Sequence, residues 1–256
     1  TNTMAAYEEV QQAEEGEMAL YTPIAGSRFM LPYWNPYNKD GSLASENNGT
    51  WTGTGQNPIE WMANNPVTYK NKVLSTVFAD ITPIKNLTIH TQFGADYSHS
   101  TAFMQSYPSY IINNGQGSAG RNSSDALTLS ETTTVNYRWE VNENHSLNFL
   151  LGQEAVDYQS TGFQVVTRGQ ASDLLTNVTS GTRASQWADS NDSYSYLSFF
   201  FRGEYNYKDL YYGEVAARTD ASSRFGKDHR WGVFWSLGFM WNIKNEAFLK
   251  DIEWLT

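Results

Sequence analysis

From Lys72 onward the chain alternates apolar and polar side chains with a period of two, and the connections joining the alternating runs are short, then long, then short again. Few folds impose both rules at once. Val73, Ser75, Val77, Ala79 and Ile81 share one face against Lys72, Thr76 and Asp80, before a turn at Thr82-Pro83-Ile84-Lys85-Asn86. Leu87, Ile89, Phe93, Ala95 and Tyr97 follow against Thr88, His90, Gln92, Asp96 and Ser98, and a long polar loop runs through Gly115, Gly117, Gly120 and Asn122. A third run, 126–141, sets Val135, Tyr137 and Trp139 against Asn136, Arg138 and Glu140, and meets a fourth, 145–158, across Asn142-Glu143-Asn144. A second long loop is expected over 159–193. Beyond it Leu197, Phe199, Phe201, Tyr205 and Tyr207 oppose Ser198, Arg202, Glu204 and Asn206, with Lys208-Asp209 closing a hairpin onto Tyr211, Val215 and Ala217. After a third long connection, Val233, Trp235, Leu237, Phe239 and Trp241 form the last of seven expected strands, followed by a helical turn near Lys244.

Strands of about ten residues with short turns at one end and long polar loops at the other predict an all-β chain, an antiparallel transmembrane β-barrel segment with short periplasmic turns and long extracellular loops. An antiparallel sandwich or soluble barrel that binds carbohydrate is the alternative reading, because it also alternates. Composition favours the membrane. Aromatic residues make up 15% of a chain whose mean hydropathy is −0.54, as expected when lipid-facing and water-facing positions average out and rings mark the interfaces. Tyr205, Tyr207, Tyr211 and Trp241 stand near strand ends, where such rings belong. Phe199, Phe201, Val215 and Trp235 are therefore expected to meet hydrocarbon, while Arg202, Glu204 and Arg218 border water.

A net charge of −10 argues against a nucleic-acid partner, since phosphate binding needs a basic stripe. The chain has no cysteine, so neither a disulfide framework nor a thiolate site is available to it. No apolar run is long enough for a membrane helix, and the first residues lack the basic start and apolar stretch of a signal peptide.

Residues 1–71 lack strong periodicity and are expected to be an extracellular excursion, with a short amphipathic helix over Ala5 to Leu20; residues 72–256 carry the strands of an incomplete barrel. So long a stretch without regular structure is usually functional or disordered.

The segment Arg218-Thr219-Asp220-Ala221-Ser222-Ser223-Arg224-Phe225-Gly226, then Arg230-Trp231-Gly232-Val233-Phe234-Trp235-Ser236 and Trp241-Asn242-Ile243-Lys244-Asn245-Glu246-Ala247-Phe248, resembles the barrel of SusC/RagA-type TonB-dependent transporters. Upstream, Asn57-Pro58-Ile59 and Phe93-Gly94-Ala95-Asp96-Tyr97 agree with that order. The resemblance covers most of Pro32 to Trp254. It implies a large outer-membrane barrel importing an oligosaccharide or peptide, capped by a SusD-like surface lipoprotein, surrounded by outer-membrane lipid and driven through TonB. About seven strands cannot close such a pore, and no plug or energy-coupling box is visible, so the chain is expected to be a piece of a longer protein.

No residue is assigned a catalytic or metal-binding role, and no cofactor is expected. Gly115-Gln116-Gly117-Ser118-Ala119-Gly120 fits a dinucleotide fingerprint but lies between expected strands and not before a helix. His90, His99, His145 and His229 lack ligand spacing. Asp189 with Asp192, or Glu140 with Glu143, would have to converge within a few ångströms to act as a glycosidase pair. Asn38-Lys39-Asp40-Gly41 is a turn signal. Tyr33, Trp34, Trp51, Trp61 and Trp187, all expected in long loops, are the ligand-contact candidates, because flat rings stack against sugar C–H groups; self-packing of the loops is the plainer reading. Arg202, Glu204, Glu214, Arg218, Asp220 and Arg224 are expected to be lumen-facing polar residues that fix strands and loops by pairing.

Overall fold

In the computed structural model, residues 1–11, 28, 30–45, 49–53, 57–59, 67–109, 115–246 and 248–249 are described. Among them, eight strands form one antiparallel sheet in strictly sequential order: β1 (Asn2–Gln11), β2 (Val67–Ile84), β3 (Leu87–Ser106), β4 (Gly117–Asn142), β5 (His145–Gln170), β6 (Arg183–Tyr207), β7 (Tyr211–Ser222) and β8 (Trp231–Trp241). No described residue belongs to a second sheet, so the sandwich alternative has no layer to pack against. The seven expected strands correspond to β2 through β8.

Short turns lie at one end of the sheet. Ile84 pairs with Leu87, Asn142 with His145 and Tyr207 with Tyr211. These turns carry the backbone conformations that such tight reversals need: Asn86 has φ 66°, and Lys208 and Asp209 have φ 55° and 56°, the two successive left-handed residues of a type I′ reversal. Asn142 supports the middle turn, its side-chain oxygen accepting from the N–H groups of Asn144 and His145 at 2.9 and 3.1 Å.

Two sequence expectations fail. The helix expected from Ala5 is strand through Gln11, where β1 pairs residue by residue with β2 from Asn2↔Thr76 to Gln11↔Val67. Its Ala and Glu content favours a helix, but an open edge of β2 offers a whole row of backbone partners, and that tertiary gain overrides weak local preference. The long loops are also shorter than expected. Strand β4 begins at Gly117 rather than near Ala126, β5 continues to Gln170, and β6 starts at Arg183, so most of 159–193 is paired sheet. Those extensions are rich in Ser, Thr, Asn and Gln on both faces. Where both faces are wet, the ladder continues without the alternation of polarity that would announce it.

Among the described residues no core exists in the ordinary sense. Ala44 and Ala119 are the buried hydrophobic residues described, whereas Val233, Trp235, Leu237 and Phe239 stay 72–76% exposed. The accessible surface is 17120 Å². A compact soluble monomer of this mass would expose about 11,000 Å², so a large apolar surface is left for something other than this chain to cover.

Candidate functional site

Because paired residues share a face, register sorts the sheet into two surfaces. One carries Ile81, Ile89, Val135, Leu151, Phe201, Ala217 and Trp235 in a single cross-strand row. At the short-turn end this apolar face finishes in a ladder of rings: His145, Tyr207, Tyr211 and Trp241 lie side by side, with centroids 4.7 Å apart for His145–Tyr207, 6.3 Å for Tyr207–Tyr211 and 6.1 Å for Tyr211–Trp241. Glu246 fixes its edge by accepting from the Tyr211 hydroxyl at 2.6 Å and the Trp241 indole at 3.2 Å. Such a girdle is the signature of a lipid–water boundary.

The opposite face carries every Lys and Arg ion pair found among the described residues. Arg218 reaches Glu154 on β5 at 2.9 Å and Asp220 at 2.6 Å. Arg202 reaches Glu214 at 2.9 Å and also contacts Glu204, which accepts from the Asn148 amide at 2.9 Å. Arg224 meets Asp192 at 3.0 Å, Lys72 meets Asp96 at 2.9 Å, and Arg138 meets Glu140 at 3.4 Å. The pairs bridge β2 to β3, β5 to β7 and β6 to β7, so they lace neighbouring strands across a hydrated wall. Half-exposed pairs of this kind contribute at most about 1 kcal/mol each; their other effect is to keep the wall charged but locally neutral.

Glycine positions fit the same wall. A Cβ on Gly152 would stand 2.1 Å from the Phe200 ring, which lies flat over it from the neighbouring strand, and the Arg218 guanidinium sits 5.4 Å from that ring's centroid. An aromatic side chain thereby covers the backbone a glycine leaves bare and seats the cation that joins three strands.

Toward the long-loop end, the polar face holds a group that sequence reading missed. Tyr158 and Tyr194 stack with centroids 4.6 Å apart, Tyr196 lies 5.1 Å from Tyr194, and Arg224 caps Tyr194 at 4.4 Å. The signal was the even-numbered register of Tyr158, Tyr194 and Tyr196, which puts them opposite the apolar set; the expected loop over 159–193 hid it.

Among the five ring candidates, Tyr33, Trp34 and Trp51 pack edge-on against one another at 6.2 and 6.3 Å. Nearby, the buried Asn57 donates to the carbonyls of Pro36 and Ala44 at 2.9 and 2.6 Å. The turn at Asn38 to Gly41 is closed by Asp40, whose carboxylate accepts from the Ser42 hydroxyl and N–H at 2.6 and 3.0 Å. Those two bonds, the hydroxyl's first, hold its pKa below the usual carboxylate value. Trp61 lies outside the described residues. Trp187 is not in a loop: it is on β6, 70% exposed, on the face shared with Phe103, Arg121 and Val165.

The other constellations do not assemble. Asp189 and Asp192 point to opposite faces of β6, and Glu140 is engaged by Arg138. Gly117 and Gly120 lie within β4, with no helix after them. No three His, Asp or Glu side chains cluster as a metal site among the described residues, and no described helix is long and apolar enough to cross a membrane.

A sequential antiparallel sheet with tight turns at one end, an uncovered apolar face edged by rings and an ion-paired opposite face is a length of outer-membrane β-barrel wall. Comparison with known proteins narrows the class. No family model matches the chain. The TonB-dependent receptor SusC of Bacteroides thetaiotaomicron is 30% identical over 173 residues, which is 68% of this chain and 17% of the relative. A TonB-dependent receptor of Formosa agariphila is 27% identical over 237 residues, 87% of this chain and 23% of the relative. Among solved structures, the RagAB peptide transporter superposes with a TM-score of 0.74 at 27% identity, covering 86% of this chain and 25% of that one. The chain belongs to the barrel of a SusC/RagA-type TonB-dependent transporter, an outer-membrane protein, and spans about a quarter or less of the length of the relatives it matches. The apolar face, edged by rings, is the one such a wall turns to lipid.

Proposed function

We propose that the whole protein imports a nutrient across the outer membrane, taking energy through TonB and receiving cargo from a SusD-like surface lipoprotein. No bond is made or broken. The observation that supports this best is the segregation of charge: Arg202, Arg218 and Arg224, each with its carboxylate partners, line the lumen, whereas the facing rows of β6–β8 on the other side are apolar. A wall of closed ion pairs lets a polar solute slide past without any single group gripping it.

The cargo in this reading is an oligosaccharide or a peptide, in keeping with relatives described as SusC and as a peptide transporter. Tyr158, Tyr194 and Tyr196 form the part of the wall suited to it, since a ring face meets sugar C–H groups or peptide side chains while its hydroxyl meets polar edges. The described loop residues 30–45 and 49–53 take the extracellular side, with Tyr33, Trp34 and Trp51 beside the entrance. In support, β1 pairs with the half of β2 farther from its tight turn.

Uptake tests the proposal. Cells lacking the full-length protein should lose growth on the transported oligosaccharide or peptide as sole source, and regain it with the wild-type gene but not with one whose TonB-contacting segment is removed. Restored growth without that segment would refute energised import. Monodisperse behaviour of the full-length protein in buffer without detergent would refute the membrane placement itself.

A further inference from the structure

Strand β6 outruns its neighbour on one side only. Its partner β5 follows it up to Arg183, whereas β7 stops at Ser222, opposite Tyr196. One contact continues that side: the Ser195 carbonyl accepts from the Ser223 N–H at 3.0 Å, and the Ser195 N–H donates to the Ser223 hydroxyl at 2.8 Å. Above it, no described strand pairs with Arg183 to Tyr194 on the β7 side, and Arg183 to Ser193 are all exposed. The outer edges of β1 and β8 are the two ends of the sheet. This edge lies inside it, and because β5 and β7 are both in place, no strand added beyond β8 can reach it.

Register says which backbone groups the edge offers. Successive residues of an antiparallel strand turn their N–H and C=O groups to opposite neighbours. Ser195 turns its pair toward β7, so Ser193, Asn191, Asp189 and Trp187 present theirs to the open side, while the residues between them turn to β5. The same parity holds at the other end of the strand, where the Lys208 N–H donates to the Asn144 carbonyl on the β5 side at 2.8 Å. Height puts the open edge in water. Ser195 is twelve positions from the terminal ring Tyr207, about 40 Å along a strand and about 30 Å in height at the usual barrel tilt, which clears an apolar band roughly 25 Å tall. A row of unpaired donors and acceptors in water is a template for another strand.

We propose that this edge takes up an extended, basic peptide as an added antiparallel strand, holding transported peptide at the rim before it passes Tyr194. The inference rests on the import reading and narrows its cargo, because a ladder of alternating N–H and C=O groups matches a polypeptide backbone and an oligosaccharide has no such ladder to offer. Charge selects among polypeptides. Asp189 meets no Lys or Arg among the described residues, whereas Asp192 is held by Arg224 at 3.0 Å. A Lys opposite Asp189 in the added strand supplies the missing partner. A second copy of the same edge does not: Trp187 to Tyr194 contains Asp189 and Asp192 and no basic residue, so self-pairing crowds like charges. At the foot of the edge the polar face carries Tyr194, stacked on Tyr158 at 4.6 Å and capped by Arg224 at 4.4 Å, next in line for a chain that leaves the rim. Trp187 contributes its backbone alone.

The test uses full-length protein in nanodiscs and a fluorescent, end-capped heptapeptide of Thr with a central Lys, its binding read by anisotropy. With the Lys opposite Asp189, the Lys and the residues two positions to either side exchange hydrogen bonds with the edge. N-methylation at any of those three should weaken binding roughly tenfold, as expected for one hydrogen bond, while N-methylation of the residues next to the Lys should change it by less than about twofold. Asn191→Pro removes an outward N–H and spares the ladder to β5, the situation in which a strand tolerates proline, and should weaken binding by a similar roughly tenfold factor. Asp189→Asn should abolish the preference for this peptide over an all-Thr heptapeptide. Should Asn191→Pro fail to fold, the alternation of methyl effects against wild-type protein decides the matter. Methyl effects that do not alternate, or binding indifferent to Asn191→Pro, overturn the proposal. So does a protein dimer that Asn191→Pro dissociates while the peptide does not bind, because a second copy would then fill the edge. Binding needs no energised uptake, so the two readings fail separately: TonB-dependent growth without edge binding sinks this site and leaves import, and edge binding without such growth sinks import and leaves strand addition.

Discussion

Leu150 and Leu151 are adjacent, identical in chemistry and on opposite faces, so the same substitution at each tests which way the wall looks. Leu151 stands on the apolar face between Val135 and Phe201, and Leu150 on the polar face between Asn136 and Arg202. Leu151 is six residues beyond His145 in the terminal aromatic row, which places it about 20 Å along the strand and about 15 Å above that row, close to the middle of the hydrocarbon. An arginine there costs about 2–4 kcal/mol, a factor of roughly 30 to 700 in the folding constant. At Leu150 the new guanidinium meets water and two nearby cations, Arg202 and Arg218, that Glu204, Glu214, Glu154 and Asp220 already neutralise, so the cost stays under about 1 kcal/mol. The assay is urea-dependent folding of full-length protein into phosphatidylcholine vesicles, followed by tryptophan fluorescence and heat-dependent gel migration. Leu151→Arg should move the midpoint to clearly lower urea and Leu150→Arg should barely move it. Equal shifts, or a larger one for Leu150→Arg, would mean that the apolar rows are not in contact with lipid, and the assignment of faces would fall.

In the same vesicle assay Gly152→Val should destabilise by about 1–3 kcal/mol, the range for forcing atoms into filled space, because Phe200 must leave its seat and release Arg218; a neutral result would show that the ring's position is incidental. Asn86→Val should cost about 1–2 kcal/mol through left-handed backbone strain, with Asn86→Gly at or above wild-type stability. A double-mutant cycle on Arg218 and Glu154 should return a coupling below about 1 kcal/mol, since both side chains are about 40% exposed, and a value of 3 would show a drier wall than this one. Under the import reading, Tyr194→Ala should weaken cargo binding measured by titration calorimetry while Trp187→Ala leaves it unchanged, and the reverse order would move the cargo path off the lumen tyrosines.

Wherever one face meets lipid and the other water, the sequence alone was enough to find strands β2 through β8, because only there does polarity alternate strictly. Val73 to Ile81, Leu197 to Tyr207 and Val233 to Trp241 were legible for that reason. The tight turns were legible from Asn86 and Asp209, whose residue types tolerate positive φ; Lys208 adopts it only because the reversal requires two such residues in succession. The paired charges could be assigned by parity to the face opposite the apolar rows, but their partners could not: Arg218 with Glu154 is a contact 64 positions apart in sequence that depends on the β5–β6–β7 registers. Strand β1 was illegible because its pairing is dictated by the free edge of β2 and not by its own Ala- and Glu-rich composition.

The extensions of β4, β5 and β6 above the membrane show what periodicity leaves out. Gly117 to Asp125, Thr161 to Gln170 and Arg183 to Asn191 are paired almost continuously, yet Ser, Thr, Asn, Gln and Gly outnumber every other class there, with Phe163, Val165, Val166 and Trp187 the only large apolar side chains among them. Water on both faces removes the selection for alternation without removing the hydrogen-bond ladder, so the strand persists while its signature fades.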